Sequence, residues 1–166
     1  EIESLFGVPQ PEKHHPEIDT GIHSLLSLEQ ACLLSDKPEV RLAALLHDLG
    51  KAETDKAKWP SHRGHEQIGL PILDQFCHRL RVPRTFKSLA TLVMNYHTHC
   101  HRIFELKAST LTDLLASLNA FKANNTTAED FVLACEADSK GRTGLENTPY
   151  LQSNYLLNAA KAASKV

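Results

Sequence analysis

The sequence predicts an all-α fold of about six to seven helices, and three observations carry that reading. Apolar residues recur at three- and four-residue steps in almost every segment that has a period. No stretch alternates as a half-buried strand would. The breaks between segments carry the proline, glycine and asparagine residues that end helices. With 166 residues, 42% of them hydrophobic, the chain can build one sizeable core but is too short for two ordinary domains. A single domain over residues 1–166 is expected.

After an entry punctuated by Pro9, Pro11 and Pro16, Asp19 or Thr20 can cap a first helix whose stripe reads Ile22, Leu25, Leu26, Cys32 and Leu33. Pro38 suits the first turn of a second, running from Glu39 to about Leu49 with Val40, Ala43, Ala44 and Leu46 inward, and Gly50 reads as its C-terminal cap. Lys51 to Gly64 reads as a polar loop. A third helix is expected from about His65 to Leu80, with Pro71 either kinking it or marking its true start, and Arg81-Val82-Pro83 closing it. The fourth, Arg84 to His101, presents Phe86, Leu89, Leu92, Val93 and Tyr96, and the fifth, Leu111 to Phe121, presents Leu114, Leu115 and Leu118. Asn124-Asn125 is the next break. Thr127 and Asp130 resemble a capping pair opening a sixth helix that Gly141 to Gly144 ends, and a terminal helix is expected over Asn154 to Lys165.

Eighteen Lys and Arg against twenty Asp and Glu give a net charge of −2, which excludes a broad basic surface for gripping nucleic acid. A polyanionic substrate must be caught locally. No apolar run approaches the length of a bilayer span, so no membrane partner is expected, and neither a signal sequence nor an initiator Met opens the chain. The reading is a cytoplasmic protein and a piece of a longer one. Cys32, Cys77, Cys100 and Cys135 form no C-x-x-C pair, which argues for reduced, mostly buried thiols rather than a zinc knuckle or disulfide scaffold. Ten histidines beside one Met and one Trp are the compositional oddity.

His47 and Asp48 sit at the end of an otherwise apolar helix. An unpaired carboxylate there would cost several kcal/mol to bury, whereas a divalent cation would neutralise it and use the neighbouring imidazole. Taken alone, the pair reads first as a capping Asp and a satisfied core His. The rest of the chain tilts the balance toward metal. The short connection between the first two helices brings His23 near His47, His62 and His65 lie three apart at a loop-to-helix boundary, and His97 and His101 share a helix face. Asp138 arrives from the end of another apolar helix. His14, His15, His78, His99 and His101 read as surface or packing residues.

These residues resemble the HD-superfamily metal-dependent phosphohydrolases, whose signature is a His, then His-Asp, then a distant Asp. The likeness is closest to the C-terminal HD domains of bacterial CCA-adding tRNA nucleotidyltransferases. It rests on Phe6-Gly7-Val8-Pro9-Gln10-Pro11, on Pro16 through His23, on His47-Asp48-Leu49-Gly50-Lys51, on Arg79 through Pro83 and on Glu136 through Gly144. The resemblance implies an HD-domain helical bundle that binds a divalent metal, nickel, cobalt, manganese or magnesium. It implies 2′,3′-cyclic phosphodiesterase, 2′-nucleotidase and phosphatase activities linked to maturation and repair of the tRNA 3′ CCA end. A nucleotide or tRNA 3′ end is then the substrate. The N-terminal nucleotidyltransferase part, absent from this chain, is a partner in the longer protein, and a homodimer stays open. Carried over by position, His23, His47, Asp48 and Asp138 would hold one metal, with His65 and His97 as candidates for a second. Where the family pattern follows the latter His with Asp, this chain has Thr98.

Within that reading Asp48 orients the attacking water, and Lys51, a turn beyond His47, reaches a phosphate oxygen. Arg63 and Arg142, on glycine-containing loops, clamp the phosphate, and His97 or His65, if not a ligand, protonates the leaving oxygen. Two rival readings remain. The HD fold could be a non-catalytic scaffold that holds metal or a dimer interface, or an HD nucleotide phosphohydrolase of other substrate range.

Overall fold

The computed structural model describes residues 1–122 and 125–165, so of the Asn124-Asn125 break only Asn125 is described. Among the described residues there are seven α-helices and no strand: α1 (Thr20–Leu34), α2 (Pro38–Leu46), α3 (His65–Arg79), α4 (Arg84–His101), α5 (Ala108–Ser117), α6 (Thr127–Lys140) and α7 (Leu151–Ala163). Short 3-10 turns occupy Glu3–Leu5, Leu49–Glu53, Lys56–Lys58 and Ile103–Glu105. The all-α expectation holds, and no helix is long and apolar enough to cross a membrane.

The main core cluster gathers around Phe131, Leu46, Leu49, Leu73, Met94, Leu114, Leu118 and Leu156, and a small second one joins Ala31, Ala44 and Ala137. Helix α6 runs through it, packing on α1, α2, α4 and α7, while α2 lies against α1 and α4. All four cysteines are free thiols; Cys77, Cys100 and Cys135 are buried and Cys32 is exposed.

Several boundaries differ from the sequence reading, each for a local physical reason. Helix α2 stops at Leu46, because the chain tightens into the turn Leu49–Glu53. Gly50 is therefore a close-approach residue rather than a left-handed cap: a Cβ there would lie 2.0 Å from the His65 carbonyl oxygen and 2.6 Å from the Gly69 nitrogen. The Lys51–Gly64 stretch holds two 3-10 turns and a buried Lys51, so it is not a plain polar loop. Pro71 lies inside α3, α5 begins at Ala108, and α7 begins at Leu151. At the start of α6 the N-cap is Thr126, which makes no side-chain cap bond; the Asn125 side-chain oxygen, one residue earlier, accepts the Thr127 N–H at 2.7 Å, in place of a Thr127–Asp130 pair.

The largest departure is the face of α1. Asp19 caps it as expected, accepting the Ile22 N–H. The buried face, however, is Thr20, Gly21, His23, Ser24, Ser27 and Ala31, while Ile22, Leu25 and Leu33 are exposed, Leu33 at 75%. Small residues let α1 approach α6 closely: a Cβ on Gly141, at the end of α6, would sit 2.6 Å from the Ser27 nitrogen. That approach carries His23 to the end of α6, where Asp138 lies.

Ahead of α1, residues 1–19 fold back on themselves. Thr20 N–H donates to Val8 O and Gly7 N–H to the Asp19 carboxylate, closing an arm over one end of the bundle.

Candidate metal centre

Five helices deliver the histidines and aspartates to one place. His23 comes from the first turns of α1, His47 and Asp48 from the end of α2, His65 from the first residue of α3, His97 from the last turns of α4 and Asp138 from the end of α6. All six are buried. On one side, His23 Nε2 lies 2.9 Å from Asp138 Oδ1, and His47 Nε2 lies 3.1 Å from Asp48 Oδ2 and 3.4 Å from Asp138 Oδ1. On the other, His65 Nε2 is 3.2 Å and His97 Nε2 3.7 Å from Asp48 Oδ1, with 3.5 Å between the two ring nitrogens. Asp48 thus turns one oxygen to each half. His23, His47 and Asp138, and separately His47, Asp48 and His97, each bring three ligand atoms within 4.8 Å of one another.

The backs of the rings are tied to the main chain. His47 Nδ1–H donates to Ala44 O at 2.7 Å, His65 Nδ1–H to His62 O at 2.9 Å, and His97 Nδ1–H to Val93 O at 3.0 Å. Each Nε2 therefore faces inward, the ring nitrogen that a metal would take up. His47 Nε2 and Asp48 Oδ1 are buried without any hydrogen-bond partner of proper geometry. Orphaned atoms of this kind are costly, and the donor set of imidazoles and carboxylates suits a divalent transition metal. The residues present fit a metal.

Electrostatics agree. Burial alone would raise the Asp48 and Asp138 pKa values, yet the His47 charge, with Lys51 beside Asp48 and His101 beside Asp138, holds both carboxyls well below the usual range. Burial alone would lower the His47 pKa, but the two carboxylates raise it well above 6.5. For His97 burial wins, aided by His47, and its pKa falls to about 3. His97 is thus a neutral imidazole at neutral pH, which suits a ligand and not a proton donor.

The other predicted residues fall around a cleft of about 970 Å³ that opens onto Asp48, His65, His97 and Asp138. Lys51, Arg63 and Arg142 all line it. Lys51 Nζ is buried and donates to Asp48 Oδ2 at 2.7 Å and to the Gln10 side chain. The Arg142 guanidinium donates to Ser139 O and Oγ, while Arg63 is exposed at the mouth. His62 has both ring nitrogens engaged, by Thr54 Oγ1 and Pro9 O, so it stands apart from the cluster. Thr98 lines the cleft and donates to the Glu66 carboxylate at 2.7 Å.

Four residues escaped sequence reasoning. His101, read as surface or packing, has Nε2 2.6 Å from Asp138 Oδ2 and Nδ1 2.8 Å from the Tyr150 hydroxyl, so it buttresses Asp138. The signal was there: His101 shares a helix face with His97. Tyr150 has no such signal, because it comes from a separate segment. His15 and Glu17, in the folded-back arm, lie against the rear of His23.

Helices α1, α2 and α6 converging with His23, His47-Asp48 and the distant Asp138 define a class of protein, and comparison with known families agrees: residues 20–134 match the HD domain, and the chain belongs to the HD domain family. Among curated proteins the whole chain is similar to the C-terminal region of the Multifunctional CCA protein of Teredinibacter turnerae (55% identity), of Methylococcus capsulatus (56%) and of Hahella chejuensis (49%). It spans all 166 of its own residues in each comparison but only 40%, 39% and 39% of those relatives. No solved structure matches the chain.

Proposed function

We propose that this chain is a metal-dependent phosphohydrolase that opens 2′,3′-cyclic nucleotides and cleaves 2′-nucleotides and other phosphomonoesters. In the longer protein it serves maturation and repair of the tRNA 3′ CCA end, in the cytoplasm, beside an N-terminal nucleotidyltransferase part. The carrying observation is the convergence of His23, His47, Asp48 and Asp138, with His47 Nε2 and Asp48 Oδ1 left unpaired, at the base of a cleft large enough for a nucleotide.

His23, His47, Asp48 and Asp138 would hold one divalent ion, and His65 and His97, with Asp48 Oδ1 between them, a second. The ion would make water a better nucleophile and draw charge from a phosphoryl oxygen. The protein's own groups do the rest. Asp48, fixed by Lys51, keeps its oxygens aimed into the base of the cleft, where one can orient a water for in-line attack on phosphorus. Lys51 adds fixed positive charge beside that carboxylate. Arg63 and Arg142 stand at the mouth for a phosphate or a ribose-linked neighbour, which supplies locally the cationic hold the net charge denies overall. Water adds to phosphorus and the ester bond to a ribose oxygen breaks; the proton the water gives up passes to solvent in the open cleft, and the leaving oxygen takes one from the same solvent.

A panel of 2′,3′-cyclic nucleotides, 2′-nucleotides and phosphomonoesters, tested with nickel, cobalt, manganese and magnesium, tests the proposal. Turnover of the cyclic substrates with at least one metal is expected, and no nucleotide addition to tRNA by this chain alone. Absence of cyclic-substrate turnover with every metal favours the scaffold reading; preference for nucleoside triphosphates favours a different substrate range.

A further inference from the structure

We infer that Glu17 is a positioning residue for His23: its carboxylate backs the imidazole and raises the hold of Nε2 on a cation. This rests on the reading of His23 as a metal ligand. Glu17 lies ahead of the segment that matches the HD domain, in the arm that folds over the bundle. Its side chain is nevertheless only 2% exposed. One oxygen, Oε1, lies 3.0 Å from His23 Nδ1 and accepts from His15 Nδ1 at 3.1 Å; the other accepts the Thr143 N–H at 3.3 Å.

His23 Nδ1 also lies 3.0 Å from Gly141 O, so a neutral carbonyl already fixes which ring nitrogen carries the proton. A buried charge behind the same nitrogen has to serve something more, since burying a carboxylate is costly unless its charge is used. A cation on Nε2 makes the Nδ1 proton more acidic, and a carboxylate 3.0 Å from that nitrogen, beside the proton's carbonyl acceptor, stabilises the positive charge and strengthens the ring as a donor. Partners of this kind behind a metal-bound His typically change metal affinity or activity about 10- to 100-fold. Through Glu17 the arm also grips α1 and the turn after α6 together, the two segments that bring His23 to Asp138. The alternative, that His15, Glu17 and His23 themselves hold a cation, is met by their spacing, and the test below separates it.

The test is nickel binding by calorimetry to the wild-type chain, E17Q, E17D and H23A, with helicity and metal-free melting recorded for each. E17Q keeps the shape and removes the charge. It should bind nickel about tenfold or more weakly while melting and helicity stay near wild type, and E17D, which keeps the charge at shorter reach, should bind more tightly than E17Q. Nickel affinity of E17Q within twofold of wild type overturns the inference, as does equal loss in E17Q and E17D. Loss in E17Q of one whole equivalent at unchanged affinity for the rest also overturns it, in favour of a separate cation site at the arm. H23A binding nickel as wild type does overturns both this inference and the metal-site reading. Loss in H23A without loss in E17Q overturns only the role of Glu17.

Discussion

At the scale of single residues, the site is built from side chains whose charge states the fold has set in advance. His47 and Asp48 carry the sharpest prediction. Loss of an outer partner costs roughly 10- to 100-fold, so loss of a direct ligand should cost at least the upper end of that range. His47→Ala and Asp48→Ala are therefore expected to lower metal-dependent turnover by about 100-fold or more while far-UV circular dichroism stays nearly unchanged; turnover near wild type in either variant would remove it from the ligand set. His97 yields a pH prediction. Its pKa in the metal-free fold is about 3, against 6.5 in an unfolded chain, because burial disfavours the cation. The unfolded chain thus takes up a proton below about pH 6.5 and the folded one does not. The resulting stability is complete above about pH 6.5 and is lost as pH falls toward 3. Burial lowers His15 and His62 as well, with the same sign, whereas the raised His47 acts in the opposite sense. Urea unfolding of the metal-free chain should be less acid-sensitive in His97→Gln than in wild type, by up to about 1.4 kcal/mol per pH unit. Parallel pH slopes in the two proteins would contradict the neutral state of His97.

At the scale of elements, the site depends on close backbone approaches that hydrophobic periodicity does not report. Gly141 lets the end of α6 meet Ser27 of α1, and Gly50 lets the turn after α2 meet α3. Gly141→Ala inserts a methyl group 2.6 Å from the Ser27 backbone, so α1 and α6 must part and His23 must move from Asp138. A stability loss of about 1–3 kcal/mol is expected from the overpacking, together with weaker metal binding although no ligand has changed. Calorimetry and denaturant unfolding on the same sample check both. The helices themselves were largely legible. The α4 boundaries follow directly from Pro83 and the apolar spacing, and Asp19 caps α1 as its side chain suggests. The inward face of α1 was not legible, because its small and polar residues are buried by contact with α6 and by the site, against the pull of Ile22, Leu25 and Leu33.

At the scale of the whole molecule, the proposed ligands come from α1, α2, α3, α4 and α6, so metal binding would act as a bond across the bundle. A ligand that binds only the folded state at a hundredfold excess over its Kd adds about 2.7 kcal/mol. For a chain of this size that corresponds to a rise in melting temperature of roughly 5–10 °C. Saturating metal should produce such a rise in the wild type and not in Asp48→Ala. The two halves of the site should differ. His65 and His97 share only Asp48 Oδ1, so a second ion there relies on nearly neutral donors and should be weaker and leave first as the medium is acidified below about pH 6.5. Elemental analysis across mildly acidic to neutral pH, with two equivalents retained at the acid end, would refute that order.

The sequence by itself determined the helical class, most helix positions and the identity of the histidines and aspartates. Periodicity, proline and glycine placement, and the cost of burying His47 and Asp48 in an apolar stretch are local properties that survive in a linear string. Tertiary structure alone decided that His101 and Tyr150 buttress Asp138, that His62 turns away to Thr54 and Pro9, and that Glu17 reaches the back of His23. Those contacts join residues separated by up to dozens of positions, and their geometry follows from how closely whole helices can approach. Spacing along the chain carries no record of that distance.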